Sequence, residues 1–290
     1  MIRTILAPTD LSAPAHRAAE RAALLARACA AQLTLQHVVP VGALESLRQL
    51  FASAPADLRQ RLLDEAGEEL RALAGELARH GPVADLHLSA GSVTAAIVAQ
   101  ASALDAGLLV LGARGASLVR DLAVGSTTER VLRESARPLL VVRQAAHHGY
   151  RRVLIPVDFS PRALKAIRLA LLLAPHAELV LLHAFEVPFE GRLRHAGVGE
   201  DELALLRARA AREAGEQMGE LLAAAGLEAD SVRTVVVHGD ASLHILDQTQ
   251  LQGCELVIIG KRGLGPFEEL LLGSVTRHVL AQAQSDVLVV

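Results

Sequence analysis

The chain has 290 residues, 51% of them hydrophobic and 21% charged. That is enough apolar material for about two folded domains, and it excludes a disordered chain. Lysine and arginine total 29 against 32 aspartates and glutamates, a net charge of -3, where a generic nucleic-acid binder carries a basic excess. Aromatic residues are 2% with no tryptophan, so no stacking platform for single-stranded bases is indicated.

The first copy of a repeated pattern starts at the N-terminus. Short apolar runs of β type fall at Thr4–Pro8, Leu33–Val38, Asp85–Leu88, Leu108–Leu111 and Leu139–Val142. They are almost wholly apolar, as strands buried on both faces are. Helical stretches separate them at Ala13–Ala31, about Ala56–Arg79, Val93–Ala103 and Ser126–Ser135. Ser12 reads as an N-cap with Pro14 in the first turn. A polar joint, Arg143 to Tyr150, follows.

The pattern then returns. Ile5-Leu6-Ala7-Pro8-Thr9-Asp10-Leu11-Ser12 recurs as Val153-Leu154-Ile155-Pro156-Val157-Asp158-Phe159-Ser160, with Ser160 and Pro161 as the second N-cap and first turn. Leu109 to Gly115 recurs as Val257 to Gly263, Gly125-Ser126 as Gly273-Ser274, and Leu139 to Val142 as Val287 to Val290. The offset is 148 residues throughout, a duplicated domain rather than a solenoid period. The expected domains are 1–143 and 151–290. The copies differ most in the second connection, Pro40 to about Leu58 against Glu186 to Glu200.

Strands separated by helix-length connections predict an α/β fold, with two doubly wound parallel sheets in tandem and right-handed crossovers. In such sheets a ligand sits beyond the carboxyl ends of the strands, where strand order reverses. Asp10 and Asp158 follow the first strand of each copy, Gly112-x-x-Gly115 and Gly260-x-x-Gly263 follow the fourth, and Gly125-Ser126-Thr127 and Gly273-Ser274-Val275 open the last helix. Glycines let backbone N–H groups approach an anion, and a helix N-terminus with a serine hydroxyl adds donors, so the set suits a nucleoside phosphate. A carboxylate would repel phosphate, which places Asp10 and Asp158 nearer a ribose or base. There is no P-loop, GxGxxG or GxSxG pattern.

Plainer readings fit some of these residues. Asp10 and Asp158 also fit helix caps, although Ser12 and Ser160 hold the better capping position. The glycines also fit ordinary turns, and Ser126 and Ser274 fit caps whether or not they touch phosphate. His37 and His183, at strand ends, read as satisfied core groups. The 12 histidines include no HExxH, so no metal site is expected. Cys29 and Cys254 lie too far apart in sequence to indicate a zinc motif or a disulfide framework. The apolar run Met1 to Pro8 is short for a signal peptide, and Leu169–Phe185 is interrupted by Pro175, His176, Glu178 and His183. A soluble cytoplasmic protein without membrane or nucleic-acid partners is expected.

Gly112-x2-Gly115-x9-Gly125-Ser126 and Gly260-x2-Gly263-x9-Gly273-Ser274 resemble the G-2x-G-9x-G-[S/T] nucleotide signature of the universal stress protein family. The aspartate after the first strand and His37-Val38 or His183-Ala184 are similar to that family as well, and the likeness covers almost the whole chain as a tandem. The resemblance implies sheets of order 3-2-1-4-5 and ATP, with Mg²⁺, at the switch point. It implies that Pro8-Thr9-Asp10 and Pro156-Val157-Asp158 meet the nucleoside, and that the backbone of Val38 and Ala184 faces adenine. Gly112, Arg114, Gly115, Gly125, Ser126 and Thr127 would hold phosphate in the first copy, and Gly260, Arg262, Gly263, Gly273, Ser274 and Val275 in the second. Asp121 and Glu269 stand where the family often has a basic residue. Glu268, where the first copy has Arg120, predicts weaker phosphate binding in the second. No residue pair reads as a positioned general base with its orienting group, so ATP occupancy in stress signalling is expected, with slow hydrolysis or autophosphorylation at most. A pseudo-dimer of the two copies, or a homodimer, is implied by the family. The alternative is a nucleotide-free assembly protein that keeps the fold.

Overall fold

The structure is a computed structural model that describes residues 2–40, 58–113, 124–261 and 272–290. The chain divides into two compact units meeting in sequence between Gly149 and Tyr150. Each unit contains one copy of the repeat.

The first copy runs β1 (Thr4–Thr9), α1 (Ala13–Cys29), β2 (Gln32–Pro40), α2 (Leu58–Leu77), β3 (Asp85–Gly91), α3 (Val93–Ala103), β4 (Leu108–Gly112), α4 (Ser126–Glu134) and β5 (Leu139–Val142). Its sheet order is β3-β2-β1-β4-β5, and the ladders joining these strands are parallel, with Ile5 opposite both Leu33 and Leu108. β4 is buried along its whole length, and Ile5, Leu6 and Ala7 of β1 are fully enclosed. A strand covered by helices on both faces has no side to give to polar residues, which explains the continuous apolar runs. β3, at the end of the order, is only partly buried.

The second copy repeats the plan with β6 (Arg152–Pro156), α5 (Pro161–Leu173), β7 (Glu178–Phe185), α6 (Glu190–His195), α7 (Glu200–Ala225), β8 (Arg233–His238), α8 (Ala241–Leu251), β9 (Leu256–Ile259), α9 (Ser274–Gln282) and β10 (Asp286–Val289). Its order is β8-β7-β6-β9-β10. Both copies therefore have the expected 3-2-1-4-5 order, with the reversal between the first and fourth strands.

Element ends depart from the sequence reading for local reasons. α1 stops at Cys29 because Ala30 turns left-handed (φ 52°) and gives its N–H to the carbonyls of Ala26 and Arg27. α2 closes at Leu77, whose carbonyl accepts from both His80 and Gly81. Gly81 has no substitute there, since a Cβ would lie 2.4 Å from the carbonyl oxygen of Ala23. The expected start of α2, at Ala56, lies outside the described residues. The connection from Glu186 to Glu200 contains the short helix α6, which the sequence reading did not separate. Among the described residues, no helix is long and apolar enough to cross a membrane.

Candidate functional site

The end of the first strand is built alike in both copies. Asp10 Oδ1 accepts from the backbone N–H of Ser12 (3.1 Å) and from its hydroxyl (2.5 Å). Asp158 Oδ1 accepts from Ser160 in the same way, at 3.1 and 2.6 Å. These are Asx-type turns in which the aspartate fixes the chain before the helix. Neither aspartate is thus the helix cap. Ser12 does cap α1, accepting from Ala15 N–H at 3.4 Å. Ser160 holds the expected N-cap position of α5 but its side chain makes no such bond.

The residue inside each turn is left-handed, Leu11 at φ 63° and Phe159 at φ 60°. Bulky residues rarely adopt this conformation, which costs of order 1–3 kcal/mol. Finding it at one position in both copies shows that the turn is over-determined by its surroundings. Part of that comes from the neighbouring strand. His37 Nδ1 hydrogen-bonds the carbonyl of Thr9, and His183 Nδ1 that of Val157, each at 2.8 Å. Phe159 packs its ring on His183, with centroids 4.3 Å apart.

In the second copy these elements border a cavity of about 480 Å³. Pro156, Val157 and Asp158 line it from β6, and His183 and Ala184 from β7. Gly260 closes β9 on it, and Gly273, Ser274 and Val275 open α9 on it. The described residues among those predicted for this copy are thus brought together at the switch point. The sequence reading missed Arg162, Ala163 and Ala166 of α5 and Ala241 and Ile245 of α8, which also line the cavity. The alanines recur on the buried face of α5, a helical period that could have marked them as a wall. Asp240, just before Ala241, caps α8 by accepting from Leu243 N–H at 3.0 Å. That backbone bond, with one from the Ser242 side chain, holds its carboxyl below the usual range.

In the first copy, Pro8, Thr9 and Val38 are buried. Asp10 follows β1, Gly112 ends β4, and Gly125, Ser126 and Thr127 begin α4 at the positions matching the second copy. Arg114, Gly115, Arg262 and Gly263 lie outside the described residues, as do Arg120, Asp121, Glu268 and Glu269. Gly125 and Gly273 serve as N-caps without a side chain to cap with. As at any helix start, the first N–H groups of α4 and α9 lack an intrahelical partner, and at α9 this positive end of the helix dipole borders the cavity.

An ionic cluster lies at the carboxyl ends of β7 and β8. Glu190 of α6 accepts from Arg207 of α7 and meets His238 of β8 at 2.8 Å, while Arg207 also holds Glu200 at 2.7 Å. Hydrogen bonding from Arg207, then from His238, draws the Glu190 carboxyl down. This cluster fixes α6 in the segment where the copies differ.

The universal stress protein family model matches residues 1–143 and again 149–290. A universal stress protein of Mycolicibacterium smegmatis is 28% identical, over 99% of this chain and 96% of that protein. Universal stress protein G of Salmonella typhimurium is 30% identical over 49% of this chain and all of its own length, so it corresponds to one copy. The crystal structure of a universal stress protein from Archaeoglobus fulgidus covers 99% of this chain and 95% of its own at a TM-score of 0.69, and with 22% identity it bears on the fold alone. With both copies matched and a relative aligned over its full length, the chain belongs to the universal stress protein family, as a tandem of two of its domains.

Proposed function

We propose that the chain binds adenine nucleotides at the carboxyl edges of its sheets and that occupancy, rather than turnover, is what it signals. The cavity of the second copy supports this most directly. At about 480 Å³ it falls within the usual size range of small-molecule sites, and it combines a carboxylate, a strand-end backbone and a glycine-capped helix terminus. In this reading Asp10 and Asp158 take the ribose or base, and the backbone of Val38 and Ala184 takes adenine. Gly112, Gly125 and Ser126, with Gly260, Gly273 and Ser274, take phosphate, joined by Arg114, Gly115, Arg262 and Gly263. In this reading Mg²⁺ accompanies the nucleotide on its phosphate oxygens.

Backbone donors bind ground state and transition state almost alike, and uniform binding does not speed chemistry. Phosphate release is expected well below about 1 s⁻¹. Calorimetric titration of the full chain with MgATP tests the reading. Binding is expected in the parent and is weakened about tenfold or more in an Asp10→Asn, Asp158→Asn double variant, which keeps the turn acceptor and loses the charge. A parent that takes no nucleotide would leave an assembly protein on this fold. Association of the two copies, or of two chains, belongs to the same proposal. Light scattering of the full chain with and without ATP tests it.

A further inference from the structure

α4 and α9 have nine residues each and begin at a glycine, so no side chain at the cap holds their first turn. Yet that turn must keep a fixed place relative to the end of the fourth strand if both are to grip one ligand. The structure supplies two bonds for this in each copy. The Thr128 hydroxyl donates to the carbonyl of Gly112 at 3.0 Å, and the Thr276 hydroxyl to that of Gly260 at 2.8 Å. Beside them, Gly125 N–H donates to Ala113 C=O at 2.7 Å, and Gly273 N–H to Lys261 C=O at 3.0 Å. Thr128 and Thr276 are 4% and 3% exposed, so water does not compete for the hydroxyl bonds.

We infer that Thr128 and Thr276 are positioning residues that clamp the neck of the glycine loop, holding the strand-end glycine and the helix-cap glycine at the spacing a phosphate needs. This rests on the nucleotide reading and deepens it. Both hydroxyls are spent on the frame of the site, although Thr276 also lines the cavity. A loop closed only by its ligand would lose that closure entropy on binding, whereas a clamped neck has lost it on folding. The clamp bears on the phosphate half alone. The Asx turns at Asp10 and Asp158 form the nucleoside half and have their own bonds.

The test uses the full chain with Thr128→Val, Thr276→Val, which keeps shape and loses both hydroxyls, and with Thr128→Ser, Thr276→Ser, which keeps both hydroxyls. Affinities for ATP and for adenosine are measured by calorimetry, and amide exchange is followed at Gly125 and Gly273. The valine pair is expected to lose about tenfold in ATP affinity while adenosine affinity stays within about twofold. Gly125 and Gly273 amides should exchange faster by a similar factor, and the serine pair should restore both readouts. Equal losses for ATP and adenosine would overturn the inference, as would unchanged exchange at both glycines or failure of the serine pair to restore. If the valine pair does not fold, the serine pair compared with a Thr276→Val single variant decides by the same criteria. If the parent binds neither ligand, the nucleotide reading fails, and the exchange readout still decides the clamp.

Discussion

The two copies place the same chemistry on different supports. Residue 2 and residue 150 correspond by the 148-residue offset, as do 138 and 286. In the first copy Ile2, 3% exposed, packs against the backbone of Gly107, where an added Cβ would lie 3.2 Å from the Ile2 Cα. In the second, Tyr150 donates its hydroxyl at 2.6 Å to Asp286, a carboxylate with no exposure at all, where the first copy has Pro138. One corner is sealed by packing and the other by a buried hydrogen bond. The Asx turn, the left-handed residue within it, the histidine tie and the threonine clamp are the same in both. The corners differ between the copies while the frame at the carboxyl edge is the same, built in both from matching aspartate, serine, histidine and threonine side chains.

The largest effect comes from breaking the packed corner. Ile2→Ala removes a buried side chain beside a glycine that cannot move in to fill the gap, and is expected to cost about 2–5 kcal/mol. Tyr150→Phe keeps the ring and leaves a buried carboxyl oxygen without that donor, for about 1–3 kcal/mol. Chemical denaturation with amide exchange read separately in β1 and β6 checks both. Each loss should appear in its own copy. If Tyr150→Phe is neutral, the buried carboxylate of Asp286 is carried by its other contacts.

Much of this was legible because the repeat acts as its own control. Three apolar strand runs, one aspartate and the glycine pairs recur at a constant offset and give the fold class and the ligand end of the sheet, while the strand order came from the family resemblance. The threonine clamp was not legible, since a threonine at the third position of a helix is unremarkable until its acceptor, 16 residues upstream, is known. Arg162 was hidden for a similar reason: the corresponding position in the first copy is Pro14, so the repeat gave no sign of it. Ser160 is the N-cap residue that its type suggests, but the missing side-chain bond to the helix depends on geometry that residue type does not show. The Glu190 cluster joins residues up to 48 positions apart, beyond any local pattern.

A smaller effect separates the divergent segment from the frame. The Glu190 carboxyl is held low, chiefly by Arg207. A depressed carboxyl adds stability above its unfolded value, near 4.3, and loses it as pH falls through the folded value. Acidification below about pH 4 should therefore loosen α6 first. Exchange at Leu193, which bonds Phe189 C=O at 2.9 Å, is expected to quicken while Ala96, bonded to Ser92 C=O in the first copy, holds. Glu190→Gln should show the quicker exchange already at neutral pH. Equal acid sensitivity at Leu193 and Ala96 would mean that the cluster does not hold α6.

The smallest effect compares the two thiols. Cys29 is half-buried in α1, and Cys254 is 5% exposed just before β9. Burial raises both, and carries Cys254 up to about 11. The thiolate is the reactive form, so at pH 8 a thiol reagent should modify Cys29 first and reach Cys254 mainly through opening of the second copy. The same shift has a stability consequence with a definite sign. The folded chain keeps a proton that the unfolded chain releases above about 8.5, so stability falls as pH rises from there towards 11. At pH 9 the loss is at most about 1 kcal/mol, and it is absent at pH 7. Cys254→Ala should abolish this alkaline slope, and Cys29→Ala should leave most of it. If both thiols react at one rate in the native chain, or if Cys254→Ala leaves the slope unchanged, Cys254 is not held in the dry environment seen beside β9.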